Sequence, residues 1–229
     1  MDNEYNYRIY ENKFGKYAVP EEVDHRPCVK AIKSSQVWEP NTIKFICENI
    51  KNLNMVHAGT FFGDMIPAFS KSTMGKIYAF EANAENAFCA EKTIFLNNLK
   101  NVVLTKKGLG HTKEKRELMV SLKKNEQFIK VGGTGSFLIP ENDECITETV
   151  EITTIDSVVS GHIGIIQLDI EGFEINALKG AINTIRKYKP ILILETVDPL
   201  DSFFKENIIS LGYKFKKEIE KNKVWMIEE

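Results

Sequence analysis

The sequence predicts an α/β fold: a doubly wound, mostly parallel sheet with an N-terminal extension and a closing C-terminal antiparallel hairpin. Three observations carry this. From Asn54 onward, short apolar runs alternate with segments of helical spacing. Two of the runs, Ile163–Ile170 and Pro190–Glu195, are almost continuously apolar, the pattern of strands buried on both faces. The chain has 229 residues, 43% of them hydrophobic and 27% charged, enough for one well-cored domain.

The elements follow in order. Tyr5–Val19 is aromatic-rich and reads as a hairpin turning around Asn12–Gly15. After Val29–Ile32, Pro40 and Thr42 suit a helix start, and Ile43, Ile46 and Ile50 form its apolar stripe. Residues 1–50 therefore form an extension, and residues 51–229 the main domain. Met55–Ala58 is the first strand of that domain and ends in glycines. A helix through Met65–Ser70, a strand over Lys76–Glu81, a helix over Glu85–Leu99 and a strand over Asn101–Thr105 come next.

Residues 111–155 break the alternation. Glu117–Leu122, Glu126–Val131 and Val150–Thr154 read as antiparallel strands, and Gly132–Ser136 as either a lid over a cleft or a hairpin turn. Ile163–Ile170 restores the parallel pattern. Glu174–Tyr188 is one amphipathic helix, Pro190–Glu195 a strand and Asp201–Leu211 a helix; Lys214–Glu218 and Val224–Ile227 close the chain as a hairpin.

Composition narrows the function. Thirty Lys and Arg against thirty-two Asp and Glu leave a formal charge of −2, which disfavours a nucleic-acid partner held by bulk electrostatics. The four cysteines form no C-x-x-C pair and read as reduced thiols. No apolar run approaches the roughly 20 residues that span a bilayer. The expectation is a cytoplasmic protein without a membrane partner. The four histidines lack metal-ligand spacing, so a zinc site is not expected. The lysine-rich stretches Lys113–Lys124 and Lys214–Lys223 read as solvated hairpin faces.

Ligands of doubly wound sheets bind beyond the carboxyl ends of the strands. Four candidate groups fall there. The turn His57-Ala58-Gly59-Thr60-Phe61-Phe62-Gly63-Asp64 lets backbone approach a ligand closely, but it fails the G-x-G-x-x-G dinucleotide pattern and lacks a phosphate-loop G-K-[ST]. Glu81, followed by Ala82 and Asn83, ends the next strand, where a carboxylate can accept hydrogen bonds from a ribose diol. Asp169 interrupts an apolar strand near its end, costly placement unless paired or functional, and Glu171 and Glu174 follow it at a helix start. Glu195 ends the neighbouring run; with Asp169 it suits general-base work, a hard cation, or simple capping and ion pairing. Gly108 and Leu109, after the third strand, share this end of the sheet.

The segment Ile166-Gln167-Leu168-Asp169-Ile170-Glu171-Gly172-Phe173-Glu174, continuing through Ala177-Leu178-Lys179-Gly180-Ala181, resembles the FkbM family of S-adenosylmethionine-dependent methyltransferases. Supporting segments are Tyr78–Asn83, Asn97-Asn98-Leu99, Asn101-Val102, Thr154-Ile155-Asp156-Ser157 and the Lys-Pro strand ending at Glu195; together they span roughly residues 50–200. The resemblance implies a class I, Rossmann-like methyltransferase domain over 51–229 that transfers methyl from S-adenosyl-L-methionine, yielding S-adenosyl-L-homocysteine, to a hydroxyl of a sugar, glycan or small metabolite. Implied cofactor contacts are His57, Gly59, Thr60, Phe61, Gly63, Asp64, Glu81, Ala82, Asn83, Gly108, Leu109 and Asp169. Asp169, Glu171 and Glu195 are the catalytic candidates. Asp169 stands first, as base or as the group orienting the sulfonium end.

Two positions depart from the family pattern. His57 stands where an acid is usual, with Asp64 as the candidate to replace its charge, and Ala82 stands where proline is common. The N-terminal extension would help build the acceptor pocket, with Arg26 or Glu39 as polar contacts. A divalent cation on Asp169 and Glu195 is the less favoured route to an alkoxide, because no third ligand is evident. The alternatives are a degenerate, non-catalytic binding module, for which His57 speaks, and a nicotinamide-dependent oxidoreductase, against which the glycine spacing speaks.

Overall fold

The computed structural model describes residues 5–131, 137–139, 141 and 143–228. Its centre is a seven-stranded sheet. In chain order the elements are β1 (Tyr7–Asn12), β2 (Gly15–Pro20), α1 (Pro27–Lys33), α2 (Pro40–Asn49), β3 (Asn54–Ala58), α3 (Ile66–Ser72), β4 (Ile77–Phe80), α4 (Ala84–Leu96) and β5 (Val102–Thr105). A second group holds β6 (Gly108–Leu109), β7 (Glu114–Lys124), β8 (Gln127–Lys130) and β9 (Cys145–Thr153). The chain ends with α5 (Ile155–Val158), β10 (Ile163–Leu168), α6 (Glu174–Lys179), α7 (Ile182–Tyr188), β11 (Ile191–Leu194), α8 (Ser202–Asn207), β12 (Tyr213–Ile219) and β13 (Asn222–Ile227).

The central order is β12-β13-β11-β10-β3-β4-β5. β11, β10, β3, β4 and β5 run parallel; β13 runs against them and β12 against β13, so the closing hairpin forms one edge. Alternation along each parallel strand feeds two cores. Val56, Ala58, Tyr78, Phe80, Ile166, Leu168, Leu192 and Leu194 face one, with Ala177, Leu178, Ile185 and Phe204 from the covering helices. Met55, Ile77, Ile165 and Ile193 face the other, against Ile43 and Ile46 of α2 and Phe69 of α3. Burial on both faces explains the uninterrupted apolar runs.

The N-terminal hairpin is not a separate lobe. Tyr17, Ala18 and Val19 are buried with Phe61, Phe62 and Cys89 of the main domain. The Ala18 amide donates to Thr93 Oγ1 at 3.0 Å, tying β2 to α4. The antiparallel region forms its own sheet, β6-β9-β7-β8, between β5 and β10 in sequence.

Several local readings change. The helix expected over Glu174–Tyr188 is two helices, interrupted at Gly180-Ala181. Gly180 presses against the residue after β6: a Cβ there would lie 2.0 Å from the Gly110 carbonyl oxygen, and its own carbonyl accepts from the Asp156 amide at 2.9 Å. Asp201–Leu211 is α8 followed by a 3₁₀ turn, Ile209–Leu211. The strands expected over Glu117–Leu122 and Val150–Thr154 extend into β7 and β9. α1 and the two-residue β6 have no counterpart in the sequence reading; both are too short to show periodicity. The Gly132–Ser136 loop lies outside the described residues. Among the described residues, no helix is long and apolar enough to cross a membrane.

Candidate active site

The parallel strands turn over at the same end of the sheet, and the loops that follow are stitched to one another. The Gly59 and Thr60 amides both donate to the Phe80 carbonyl at 3.2 Å, the Glu81 amide to Thr105, and the Asp169 amide to Ala58 at 3.1 Å. β3 and β10 are adjacent, yet the chain passes from β3 to β4 on the other side, which makes the β3–β10 boundary the switch point of the winding. Beside it lies a cavity bounded by the ends of β3, β4 and β10.

Gly59, Glu81, Ala82, Gly108, Leu109 and Asp169 line this cavity, bringing together six of the residues expected from sequence. Further walls come from Phe80, Lys107, Leu118, Phe137 and Ile170, which the sequence reading did not single out. Leu118 and Phe137 come from the antiparallel region, whose packing over the cleft is a tertiary fact without a local signature.

Gly59 has φ +78°, and a Cβ on it would sit 1.8 Å from the Asp169 carbonyl oxygen. Only glycine permits this approach. Glu81 is 9% exposed. Its Oε2 accepts from the Phe61 amide at 2.7 Å and its Oε1 from the Asn83 amide at 2.9 Å. The Ala82 amide and the Asn86 side chain also donate to this carboxylate. Burial pushes this carboxyl up to about 7, against the pull of the backbone donors.

The other expected cofactor residues support the cavity rather than line it. Phe61 serves through its amide, at φ +51°, while its ring packs edge-on to Phe62. Asn83 caps α4 by accepting from the Asn86 amide at 2.9 Å. Thr60 is buried and donates to the His57 carbonyl at 3.3 Å. Gly63, at φ +82°, packs by Ile66 and Thr93. Asp64 is half-buried; burial, then the charge of Glu39, raises its carboxyl to about 7.

His57 lies beneath this layer, 2% exposed, with its ring edge-on to Phe69 at 5.3 Å. Nδ1 is hydrogen-bonded to Gln167 Oε1, an acceptor, so Nδ1 carries the proton; Nε2 is buried without a partner. Desolvation lowers its pKa to about 4, so the ring is neutral. It presents no charge to the cavity.

Asp169, Glu171 and Glu195 converge: each offers an oxygen, and these oxygens lie within 4.8 Å of one another. Glu171 adopts φ +54° and Gly172 φ +92°, a double left-handed turn that folds Glu171 back toward Asp169. Burial, and then hydrogen bonding to Glu195, holds the Asp169 carboxyl far above the carboxylate range. Glu171 is raised by burial and by Glu195, and opposed by Arg26 and Lys221. Three oxygen donors are a set that a hard divalent cation accepts, and Glu171 is the third donor that strand ends alone did not reveal. Glu174 lies below, fully buried; Oε1 accepts from the Ile170 amide at 3.2 Å and Oε2 has no partner.

A doubly wound, mostly parallel sheet with a cavity at its switch point and a C-terminal hairpin at its edge is the class I methyltransferase fold. Residues 57–217 match the model of the methyltransferase FkbM domain, and the chain belongs to that family. Among solved structures it is similar to a methyltransferase FkbM from Methylobacillus flagellatus KT (18% identity, 76% of this chain and 43% of that one, TM-score 0.51). An rRNA methylase from Streptococcus thermophilus (13% identity, 82% and 94%, TM-score 0.47) also matches. So does a Pyrococcus abyssi tRNA (uracil-54, C5)-methyltransferase in complex with S-adenosyl-L-homocysteine (10% identity, 96% and 43%, TM-score 0.49). The chain spans less than half the length of the first and third of these. No curated protein matches the sequence.

Proposed function

We propose that the protein is an S-adenosylmethionine-dependent O-methyltransferase acting on a hydroxyl of a sugar, glycan or small metabolite. The observation that carries this is Glu81: a buried carboxylate at the wall of the switch-point cavity, held by the backbone amides of Phe61 and Asn83. It suits the ribose diol of a nucleoside, and the glycine turn beside it offers close backbone approach without a phosphate cradle. Leu109, Phe80 and Phe137 supply apolar surface for a purine.

The cofactor supplies an already activated methyl group. The chain's residues then have to position the acceptor oxygen in line and take its proton. Asp169 stands at the cavity wall and holds a proton against Glu195; once that shared proton has left, the pair is the base that takes the acceptor's proton. Glu171, opposed by Arg26, completes the acidic rim.

Calorimetric titration with S-adenosyl-L-homocysteine tests the cofactor site. Micromolar binding, weakened tenfold or more by Glu81→Ala, is the expected result; no binding by wild type overturns the reading. Transfer of labelled methyl to monosaccharide and glycan acceptors tests the acceptor class, with transfer RNA in parallel. Label on RNA and not on sugars would reverse that part.

A further inference from the structure

Glu171 reaches Asp169 through a turn in which Glu171 and Gly172 both take positive φ, +54° and +92°. A residue other than glycine is strained there and stays only where its surroundings hold it. Two supports are local: the Phe173 amide donates to the Ile170 carbonyl at 3.2 Å, and the Ile170 amide to Glu174 Oε1 at 3.2 Å. Another comes from the segment between β8 and β9. The Phe137 ring lies against the Phe173 ring with centroids 4.8 Å apart, and Leu138 Cδ1 is 3.1 Å from where a Cβ on Gly172 would sit. Phe173 also receives the Arg116 guanidinium, 5.0 Å from its ring centroid.

The same ring serves the cofactor cavity. Phe137 lines it with Gly59, Glu81 and Asp169, and packs with Leu118 and Ile152 of the four-stranded sheet. It is seated against β6, where a Cβ on Gly108 would lie 2.8 Å from Phe137 Cζ. Among the described residues, Glu171, Gly172 and Phe173 are not part of the cavity wall. Two routes therefore lead from the cavity to the strained turn: the backbone through Asp169 and Ile170, and the ring contact of Phe137 with Phe173.

We infer that Phe137 is a positioning residue for Glu171: a nucleoside in the cavity holds the Phe137 ring against Phe173 and so locks the Glu171-Gly172 turn, with Glu171 beside Asp169. This rests on the reading of the cavity as an S-adenosylmethionine site and adds to it a link between cofactor binding and the acidic cluster. A ligand on the cavity side of the ring takes away its freedom to move off Phe173, and what it orders on one side is ordered on the other. The turn is then set before an acceptor arrives. Linkage makes the effect reciprocal, so a turn already held favours the cofactor.

The test is amide hydrogen exchange at Gly172, Phe173 and Glu174, in free protein and in protein saturated with S-adenosyl-L-homocysteine, for wild type, Phe137→Ala and Leu138→Ala. In wild type the ligand should slow exchange by about fivefold or more. At saturating ligand that slowing should shrink to less than about twofold in at least one variant. Leu138 is 61% exposed and outside the cavity wall, so its variant keeps the fold if Phe137→Ala does not. A merely structural role would speed exchange in the free and bound forms alike and leave their ratio unmoved. No slowing in wild type overturns the inference, as does slowing retained in every variant that folds. Wild type that binds no S-adenosyl-L-homocysteine, seen by calorimetry beforehand, overturns the methyltransferase reading itself.

Discussion

The backbone of Asp169 rests on Gly59: the Asp169 carbonyl oxygen occupies the place where a side chain at residue 59 would begin, 1.8 Å from an added Cβ. The candidate base is thereby fixed relative to the turn that would face the cofactor. Gly59→Ala has no conformation that keeps both φ +78° and this contact. It should destabilise the protein by more than about 2 kcal/mol and abolish S-adenosyl-L-homocysteine binding even in the folded fraction. Urea denaturation and calorimetry on the same samples check both parts.

Glu81 titrates near 7, and ribose hydroxyls donate to its ionised form. Binding should therefore strengthen as pH rises through 7. Between pH 6 and pH 8 the ionised fraction of such a group grows about tenfold, and the affinity for S-adenosyl-L-homocysteine should follow it. Glu81→Gln should bind weakly at both pH values, with the pH dependence gone.

Asp169→Asn keeps the shape of the cavity wall and removes the proton acceptor. Methyl transfer should fall by about 10²- to 10⁴-fold, while S-adenosyl-L-homocysteine affinity changes less than threefold. Activity of wild type should survive exhaustive EDTA treatment. Loss on chelation and recovery with magnesium would instead assign the Asp169–Glu171–Glu195 cluster to a cation.

Glu174 is fully buried with one oxygen unpartnered, and burial raises it to about 7 from an ordinary value near 4.5. A raised carboxyl favours the folded state when protonated. Its stabilising share is complete below about pH 4.5 and is lost as pH climbs through 7. Glu174→Gln cannot ionise. It should match wild type near pH 4.5 and exceed it by about 1–3 kcal/mol at pH 8, measured as the difference in urea midpoints.

His57→Asn removes the ring from Phe69 and leaves Gln167 without its present partner. It should cost about 1–3 kcal/mol of stability with S-adenosyl-L-homocysteine affinity within threefold of wild type. A large loss of affinity at unchanged stability would show that the imidazole does reach the cofactor.

Much of this architecture was legible because burial on two faces writes itself into sequence. Ile163–Leu168 and Ile191–Leu194 are apolar at nearly every position for that reason. Asp169 and Glu81 stood out as acids at the ends of such strands. What escaped the reading was non-local. Lys107 and Phe137 enter the cavity wall through tertiary packing, and Glu171 joins the acidic cluster only because two successive residues adopt positive φ. The break at Gly180 has the same origin: helical periodicity continues past it, and the contact with Gly110 decides. His57 adjoins the cleft in sequence, whereas strand alternation turns its ring into the layer beneath, against Phe69.

The pairing of β3 with β10 also governs how the molecule comes into being. Their facing residues His57 and Gln167 are 110 positions apart, and the two strands sit side by side at the middle of the sheet. A ribosome adding about 5–20 residues per second needs roughly 5–20 s to deliver the second strand after the first. Throughout that interval one edge of β3, with Met55 and Val56, has no neighbour. Nascent chains stalled before Ile163 should therefore bind hydrophobic dyes and engage chaperones, and the full chain, with β13 paired to β11, should not.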